Sequence, residues 1–279
     1  MHPSSSVAIP AKNKLEAGQL FKLSRFKELI KRTKPHKHDG YFELIILLEG
    51  AGFHWIDTQR LPVAAPVAFF LSPGQVHCWQ LTTIPKGYVL LFREDFIGSV
   101  AGAELYSLLQ QVEQRTEIEL TDCQPVVDIL HQLETEYQHP QAYSPSILRG
   151  LTQVLFARLL QAAPAETTAK VGAGAQYRQF INRLRTQESV GNRVHHYAHW
   201  LGISPQRLNA LCRRVNGLSA SELIDHQVIL EAKRFLLHTD QTVTEIAEAL
   251  RFSDPSNFVK YFKKHTGQTP TAYKKSSFI

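Results

Sequence analysis

The hydrophobic positions of this chain change period partway along. From Tyr41 to Phe92 they come as short runs, YFELIILLEG, GFHWIDTQRL, VAFFLSPGQVHCWQL and GYVLLF, broken by glycine and proline turns. Runs of that length, rich in Ile, Val, Phe and Trp, predict the strands of a small barrel or sandwich. From Glu94 to Gln161 the spacing becomes helical. Val126, Leu130, Leu133 and Tyr137 fall on one helix face, and Leu148, Leu151, Leu155 and Leu159 on another. Helices with such stripes can cover the sheet they follow, pair with a second copy of the chain, or do both at once. The stretch AAPAETTAKVGAGA then has no apolar period, as a linker requires. The expected organisation is α+β: an arm over 1–30, a β-rich domain with trailing helices over 31–163, a linker over 164–175 and an all-helical domain over 176–279.

The helical domain nearly repeats itself. Val194, Tyr197, Ala198, Leu201, Ile203 and Ser204 are matched 49 residues later by Val243, Ile246, Ala247, Leu250, Phe252 and Ser253. Leu208, Leu211, Cys212, Arg213, Arg214, Gly217, Ser219 and Leu223 are matched 50 residues later by Phe258, Tyr261, Phe262, Lys263, Lys264, Gly267, Thr269 and Tyr273. One residue has therefore been inserted in the turn of the second copy. Each copy predicts a helix, a short turn and a second helix. The second helices open with Ser204-Pro205 and Asp254-Pro255, a side-chain acceptor followed by a residue with no N–H to leave unpaired. Gly217 and Gly267 stand where a left-handed stop is cheap. Ser219-x-x-Glu222 and Thr242-x-x-Glu245 read as capping boxes.

Each second helix divides by face. With Leu208, Leu211, Cys212 and Val215 inward, Gln206, Asn209 and Arg213 share a polar stripe. With Phe258, Tyr261 and Phe262 inward, Ser256, Asn257, Lys260, Lys263 and Lys264 are left outside. Amides and cations on a helix that fits the major groove read base edges and clamp phosphates. Ser221 to His238 reads as one helix of about 27 Å at 1.5 Å per residue, a spacer that can set two such helices roughly one DNA turn apart. Charge agrees with this. The formal net charge of +6 hides an acidic middle, with 7 Lys/Arg against 14 Asp/Glu over 40–175, and a basic end, with 15 against 8 over 176–279. A basic block of that kind suits double-stranded DNA, because neutralised phosphates release counterions.

The residues now on the page resemble a known family. FSDPSNFVKYFKKHTGQTPTAYKK is similar to the C-terminal signature of AraC/XylS-type transcription regulators, with Phe252, Phe258, Phe262, Lys263, Gly267, Thr269, Pro270 and Tyr273 in the expected order. The resemblance implies tandem helix-turn-helix units, a ligand-sensing barrel ahead of them, a homodimer, and an activator that works with RNA polymerase. It also implies that Gln206, Asn209 and Arg213 carry most base contacts. Ala210 departs there from the family's long polar residue, so its contact is lost or apolar, and Lys260, Lys263 and Lys264 serve mainly phosphates.

The β-rich half carries its own chemistry. His36-x-His38, Glu43 and His77 could supply three imidazoles and one carboxylate to Mn, Fe, Ni or Zn. The spacing resembles the two cupin motifs, so the fold implied is a cupin-like barrel. Two uses compete: a metal site, or an organic effector against His36, His38, Glu43, Trp55, His77 and Trp79, with the basic segment Lys31, Arg32 and Lys34 beside it. The effector is the expected use, with no metal or other cofactor. FFLSPGQVHCWQL and GYVLLFREDF resemble the subgroup that controls 4-hydroxybenzoate and related aromatic-acid catabolism, which makes an aromatic carboxylate the implied ligand. The alternative function is a cupin metalloenzyme with an appended DNA-binding module; the expected one is a regulator without enzymatic activity. Cys78, Cys123 and Cys212 lack metal-ligand spacing and read as reduced residues. With no apolar run long enough for a membrane span and no secretory start, a cytoplasmic location without membrane contact is expected.

Overall fold

The computed structural model describes residues 9–97, 103–163, 175–186 and 194–276. Most of the expected linker, 164–174, and the start of the expected arm, 1–8, lie outside the described residues. Two compact units emerge, Ala11–Val171 and Gly172–Ile279. No helix among the described residues is long and apolar enough to cross a membrane. The three cysteines are free thiols.

In the first unit, β1 (Phe21–Arg25), β3 (Phe42–Glu49), β6 (Val67–Leu71), β8 (Lys86–Phe92) and β9 (Glu117–Glu119) form a sheet in the order β1-β8-β3-β6-β9. Opposite it, β2 (His36–Lys37), β4 (Ala51–Ile56), β5 (Gln59–Ala64) and β7 (Val76–Leu81) pair in the order β2-β7-β4-β5. The near-continuous apolar runs of β3, β6 and β8 have a simple cause. Their inward residues Ile45, Leu47, Val67, Phe69, Leu71, Val89 and Leu91 pack with Ile56, Val63, Trp79 and Leu81 of the second sheet. Their other face packs with helices: Phe42, Leu44, Ile46, Phe70, Tyr88, Leu90 and Phe92 share a core with residues following β8. Those elements are α1 (Glu94–Ile97), α2 (Ala103–Glu113), α3 (Gln124–Gln138) and α4 (Ser144–Ala162). The apolar stripes of α3 and α4 that could have paired with a second copy are used up here, with Val126, Leu130, Leu133, Leu148, Leu155 and Leu159 buried on the sheet. Residues 11–30, expected as an arm, belong to the barrel instead. Phe21 and Leu23 alternate with Lys22 and Ser24, so this stretch forms edge strand β1 against β8.

The second unit is helical: α5 (Ala175–Thr186), α6 (Val194–Trp200), α7 (Pro205–Asn216), α8 (Ala220–His238), α9 (Val243–Ala249), α10 (Pro255–Thr266) and α11 (Pro270–Ser276). The repeat becomes two small cores. Tyr197, Ala198, Leu208 and Cys212 join Phe180 of α5 and Ile224 of α8 in the first. Ile246, Ala247, Leu250, Phe258 and Phe262 join Ile229, Ala232 and Leu236 of α8 in the second. Both capping boxes form, Ser219 with Glu222 and Thr242 with Glu245.

The barrel makes a sharp demand on backbone at Gly52. Its φ is +135°, and a Cβ there would lie 2.4 Å from the Gln80 carbonyl oxygen on the neighbouring strand β7. Gly52→Ala should therefore destabilise the first unit by roughly 2–4 kcal/mol. Urea unfolding followed by near-ultraviolet signals should show that loss while the helical unit unfolds unchanged.

Candidate functional site

Two surfaces carry chemistry, one in each unit. On α7, the Ser204 hydroxyl accepts the Arg207 N–H at 3.2 Å, and Gly217 closes the helix at φ +83°. Leu208 and Cys212 are fully buried, and burial pushes the Cys212 thiol up to about 12. That leaves Gln206, Ala210 and Arg213 exposed on one face. Asn209 behaves differently. It is half-buried, and its Oδ1 accepts the Ala220 N–H at 3.0 Å, tying α7 to the first turn of α8. On α10, Asp254 Oδ1 accepts the Ser256 N–H at 2.6 Å, and Phe258 and Phe262 face the core. Ser256, Asn257, Lys260, Lys263 and Lys264 are all exposed. The Tyr261 hydroxyl donates to Asp225 Oδ1 at 2.7 Å, which fixes α10 on α8; burial, and then that carboxylate, raise the Tyr261 pKa. The spacer α8 has 19 residues, which is about 28 Å.

In the first unit, antiparallel pairing gathers the histidines. His36 on β2 lies directly opposite His77 on β7, and Glu43 points inward from β3 beside Ile45 and Leu47. One ring nitrogen of each of His36, His38 and His77 lies within 4.8 Å of the others. His38 Nε2 is 2.9 Å from His77 Nε2 and 2.7 Å from Glu43 Oε2, and His77 Nε2 is 3.7 Å from the same oxygen. The outer nitrogens are engaged elsewhere. His36 Nδ1 meets the Lys34 carbonyl at 2.9 Å, and His38 Nδ1 meets the Lys12 carbonyl at 2.9 Å and the Tyr41 hydroxyl at 2.8 Å. His77 Nδ1 is 3.0 Å from Nε2 of a further histidine, His54. Lys14 Nζ donates to Glu43 Oε1 at 2.7 Å, while Glu43 Oε2 is buried without a hydrogen bond.

Burial dominates the titration of this cluster. It lowers His36 to about 4 and drives His54 and His77 well below the usual imidazole range. For Glu43 burial acts to raise the carboxyl, but His38, His77 and Lys14 together hold it well below the usual carboxylate range. At neutral pH the centre is thus an ionised carboxylate facing neutral imidazoles at His36 and His77, a donor set fit for a cation.

The structure brings together four of the six residues assigned to an effector: His36, His38, Glu43 and His77. Trp79 lies just behind them, its ring stacked on His54 at 3.5 Å. Trp55 does not join. Along β4 the residues alternate, His54 and Ile56 turning inward, so Trp55 faces outward with Phe53, where the Arg60 guanidinium lies over both rings. His54, Tyr41, Lys12 and Lys14 were missed by the sequence reading. For His54 the signal was present, because alternation from Ile56 places it inside. Nothing local marks Tyr41 or the two lysines, which reach the cluster only through the fold.

With this geometry in hand, similarity to known proteins is informative. Residues 30–144 match the AraC-like ligand binding domain, and residues 197–276 match a helix-turn-helix domain. Among curated relatives, the HTH-type transcriptional activator RhaS of Pectobacterium atrosepticum is 22% identical over 87% of this chain and 88% of that protein. The raffinose operon transcriptional regulatory protein RafR of Pediococcus pentosaceus is 25% identical over 69% of this chain and 74% of its own length. Among solved structures, ToxT from Vibrio cholerae is 12% identical with a TM-score of 0.41, over 91% of this chain and 98% of that one. An AraC-like ligand-binding barrel followed by tandem helix-turn-helix units makes this chain a transcription regulator of the AraC/XylS family.

Proposed function

We propose that the protein activates transcription by binding double-stranded DNA through α7 and α10 in response to a small-molecule effector taken up by the first unit. The observation that carries the reading is the division of α7, with Leu208 and Cys212 sealed in the core and Gln206, Ala210 and Arg213 exposed together. RNA polymerase is the proposed partner of the DNA-bound form. For the domains we propose 31–163 and 176–279 joined by 164–175, with the barrel extended to include β1. The barrel's match to a ligand-binding domain favours a sensor over the metalloenzyme alternative.

For the effector, an aromatic carboxylate is the class to test first, on the resemblance of residues 69–81 and 87–96 to regulators of aromatic-acid catabolism. The polar atoms of the histidine cluster are largely taken up by one another. Lys31, Arg32 and Lys34 are therefore the cations proposed for its carboxylate. Melting of the full chain against a panel including benzoate and 4-hydroxybenzoate tests this, since a ligand selective for the folded state raises stability by RT ln(1 + [L]/Kd). A panel without any shift would discard the class.

For a homodimer we propose a further surface beside the sheet-covering stripes of α3 and α4. On α4, Ile147 and Val154 remain 43% and 42% exposed, and Tyr143 at its start is 80% exposed. They share a face with Gly150, so we propose that this stripe pairs with a second copy. Ile147→Asp with Val154→Asp should convert dimers to monomers in sedimentation of the full chain; an unchanged dimer would place the interface elsewhere.

For DNA, Gln206→Ala and Arg213→Ala should each cost about 1–3 kcal/mol on a site selected from a random pool and much less on unrelated DNA. Lys260→Ala should weaken both DNAs alike and reduce the salt slope by about one. Equal losses on both DNAs from the α7 variants would remove their base-reading role. Asn209→Ala should lower the stability of the helical unit by about 1 kcal/mol, because it strips the acceptor from the Ala220 N–H. A thermal scan with no change there would free Asn209 for the DNA alone.

A further inference from the structure

The two helix-turn-helix units turn by the same backbone device, and one of them meets it under strain. After α6 the Gly202 N–H donates to the His199 carbonyl and the Ile203 N–H to the Ala198 carbonyl, both at 3.0 Å. After α9 the Arg251 N–H donates to the Glu248 carbonyl and the Phe252 N–H to the Ala247 carbonyl, both at 2.9 Å. These are the paired bonds of a left-handed helix stop, where glycine is the residue of least strain. Gly202 sits there at φ +64°, and Arg251, its counterpart in the repeat, at φ +57°. A residue with a Cβ is disfavoured in that conformation, and arginine has no short polar group with which to bond its own backbone in return. Nothing in the helical unit offsets the strain. Arg251 is exposed, and its guanidinium has no ion pair or hydrogen bond among the described residues, although Glu248 is only three residues away.

The second turn differs from the first in charge as well. Its extra residue puts Asp254 at the N-cap of α10, where α7 has the neutral Ser204. Hydrogen bonds from Ser256 hold the Asp254 carboxyl below its usual range. An ionised carboxylate therefore leads a helix whose exposed Ser256, Asn257 and Lys260 are proposed to face DNA. In a helix-turn-helix the second helix enters the major groove by its N-terminal residues while the first crosses the backbone. The turn between them then stands at the edge of the groove, among phosphates. We infer that Arg251 contacts the DNA backbone from this turn, a cation kept in a glycine position because it meets a phosphate and offsets the charge of Asp254 beside it. The first unit has a neutral cap and keeps its glycine. The inference rests on the DNA-binding reading above and adds to it a contact that neither helix face carries.

The test titrates full-length protein onto a site selected from a random pool and onto unrelated DNA, each at several salt concentrations. Thermal unfolding is followed on the same preparations. Arg251→Gly should melt no lower than wild type, because glycine relieves the turn. It should nevertheless bind both DNAs roughly 3–10-fold more weakly at about 0.1 M salt, with the salt slope reduced by about one. Arg251→Lys, which keeps the charge, should keep the slope. Arg251→Gly with wild-type affinity and slope, in a series where Lys260→Ala does weaken binding, overturns the contact and leaves the regulator reading standing. A lowered melting temperature of its helical unit also overturns the contact, since the arginine would then serve the fold, and so does a loss confined to the selected site. Wild-type protein that binds neither DNA overturns the regulator reading and the contact with it.

Discussion

Strands β3, β6 and β8 have no face left for water, and the architecture of the first unit follows from that constraint. One face requires a second sheet and the other requires helices. The chain supplies both, β2-β7-β4-β5 on the inside and α2 to α4 on the outside. The helices after the barrel are therefore not an appendage. Without them Phe42, Leu44, Ile46, Phe70, Leu90 and Phe92 would lie open, and at about 25 cal/mol per Å² an aromatic-rich sheet face is too large a loss for a domain of ordinary stability. The same constraint explains why the alternation usual for a half-solvated sheet is missing from these strands.

Glu43 is the exception that gives the barrel its chemistry. A carboxylate on the inner face of β3 is tolerated only if charge is returned to it, and the fold does so from several sides. The pairing of His36 with His77 puts two imidazoles on adjacent strands of the facing sheet. His54, diagonal to His77 on β4, adds a third layer, and Lys14 reaches in ahead of β1. The surrounding Trp79 and Phe69 raise the strength of each of these interactions by excluding water.

Much of this was legible in the sequence, and the failures share a cause. Duplicated spacing, caps and Gly217/Gly267 located both helix-turn-helix units, because those signals act within a few residues of one another. His36, His38, Glu43 and His77 were found because strand alternation and motif spacing keep them close. Trp55 was misplaced because its large aromatic side chain suggested a pocket, whereas strand parity with His54 puts it outside under Arg60. Asn209 was read as a DNA contact from its helical face and the family resemblance, and the acceptor role toward Ala220 depends on how α8 departs. Tyr41, Lys12 and Lys14 depend on contacts across strands, which no local pattern carries. The stripes of α3 and α4 fitted the sheet, a second copy or both, and the two-faced burial of β3, β6 and β8 accounts for their packing on the sheet.

In the helical unit, α8 acts as a spine shared by two cores. Its Ile224 belongs to the first helix-turn-helix and its Ile229, Ala232 and Leu236 to the second. Asn209 and Asp225 add polar ties that hold α7 and α10 to that spine. The separation of the recognition helices is then a property of one continuous helix, and changing it would mean breaking α8 or unpacking a core, at several kcal/mol. An effector can shift an equilibrium only by its differential affinity for the two states, typically 1–3 kcal/mol of coupling. That is too little to respace the recognition helices and enough to change how often the unit engages DNA. An effector of the proposed kind would therefore act on the occupancy of a preset helical unit and not on its internal geometry.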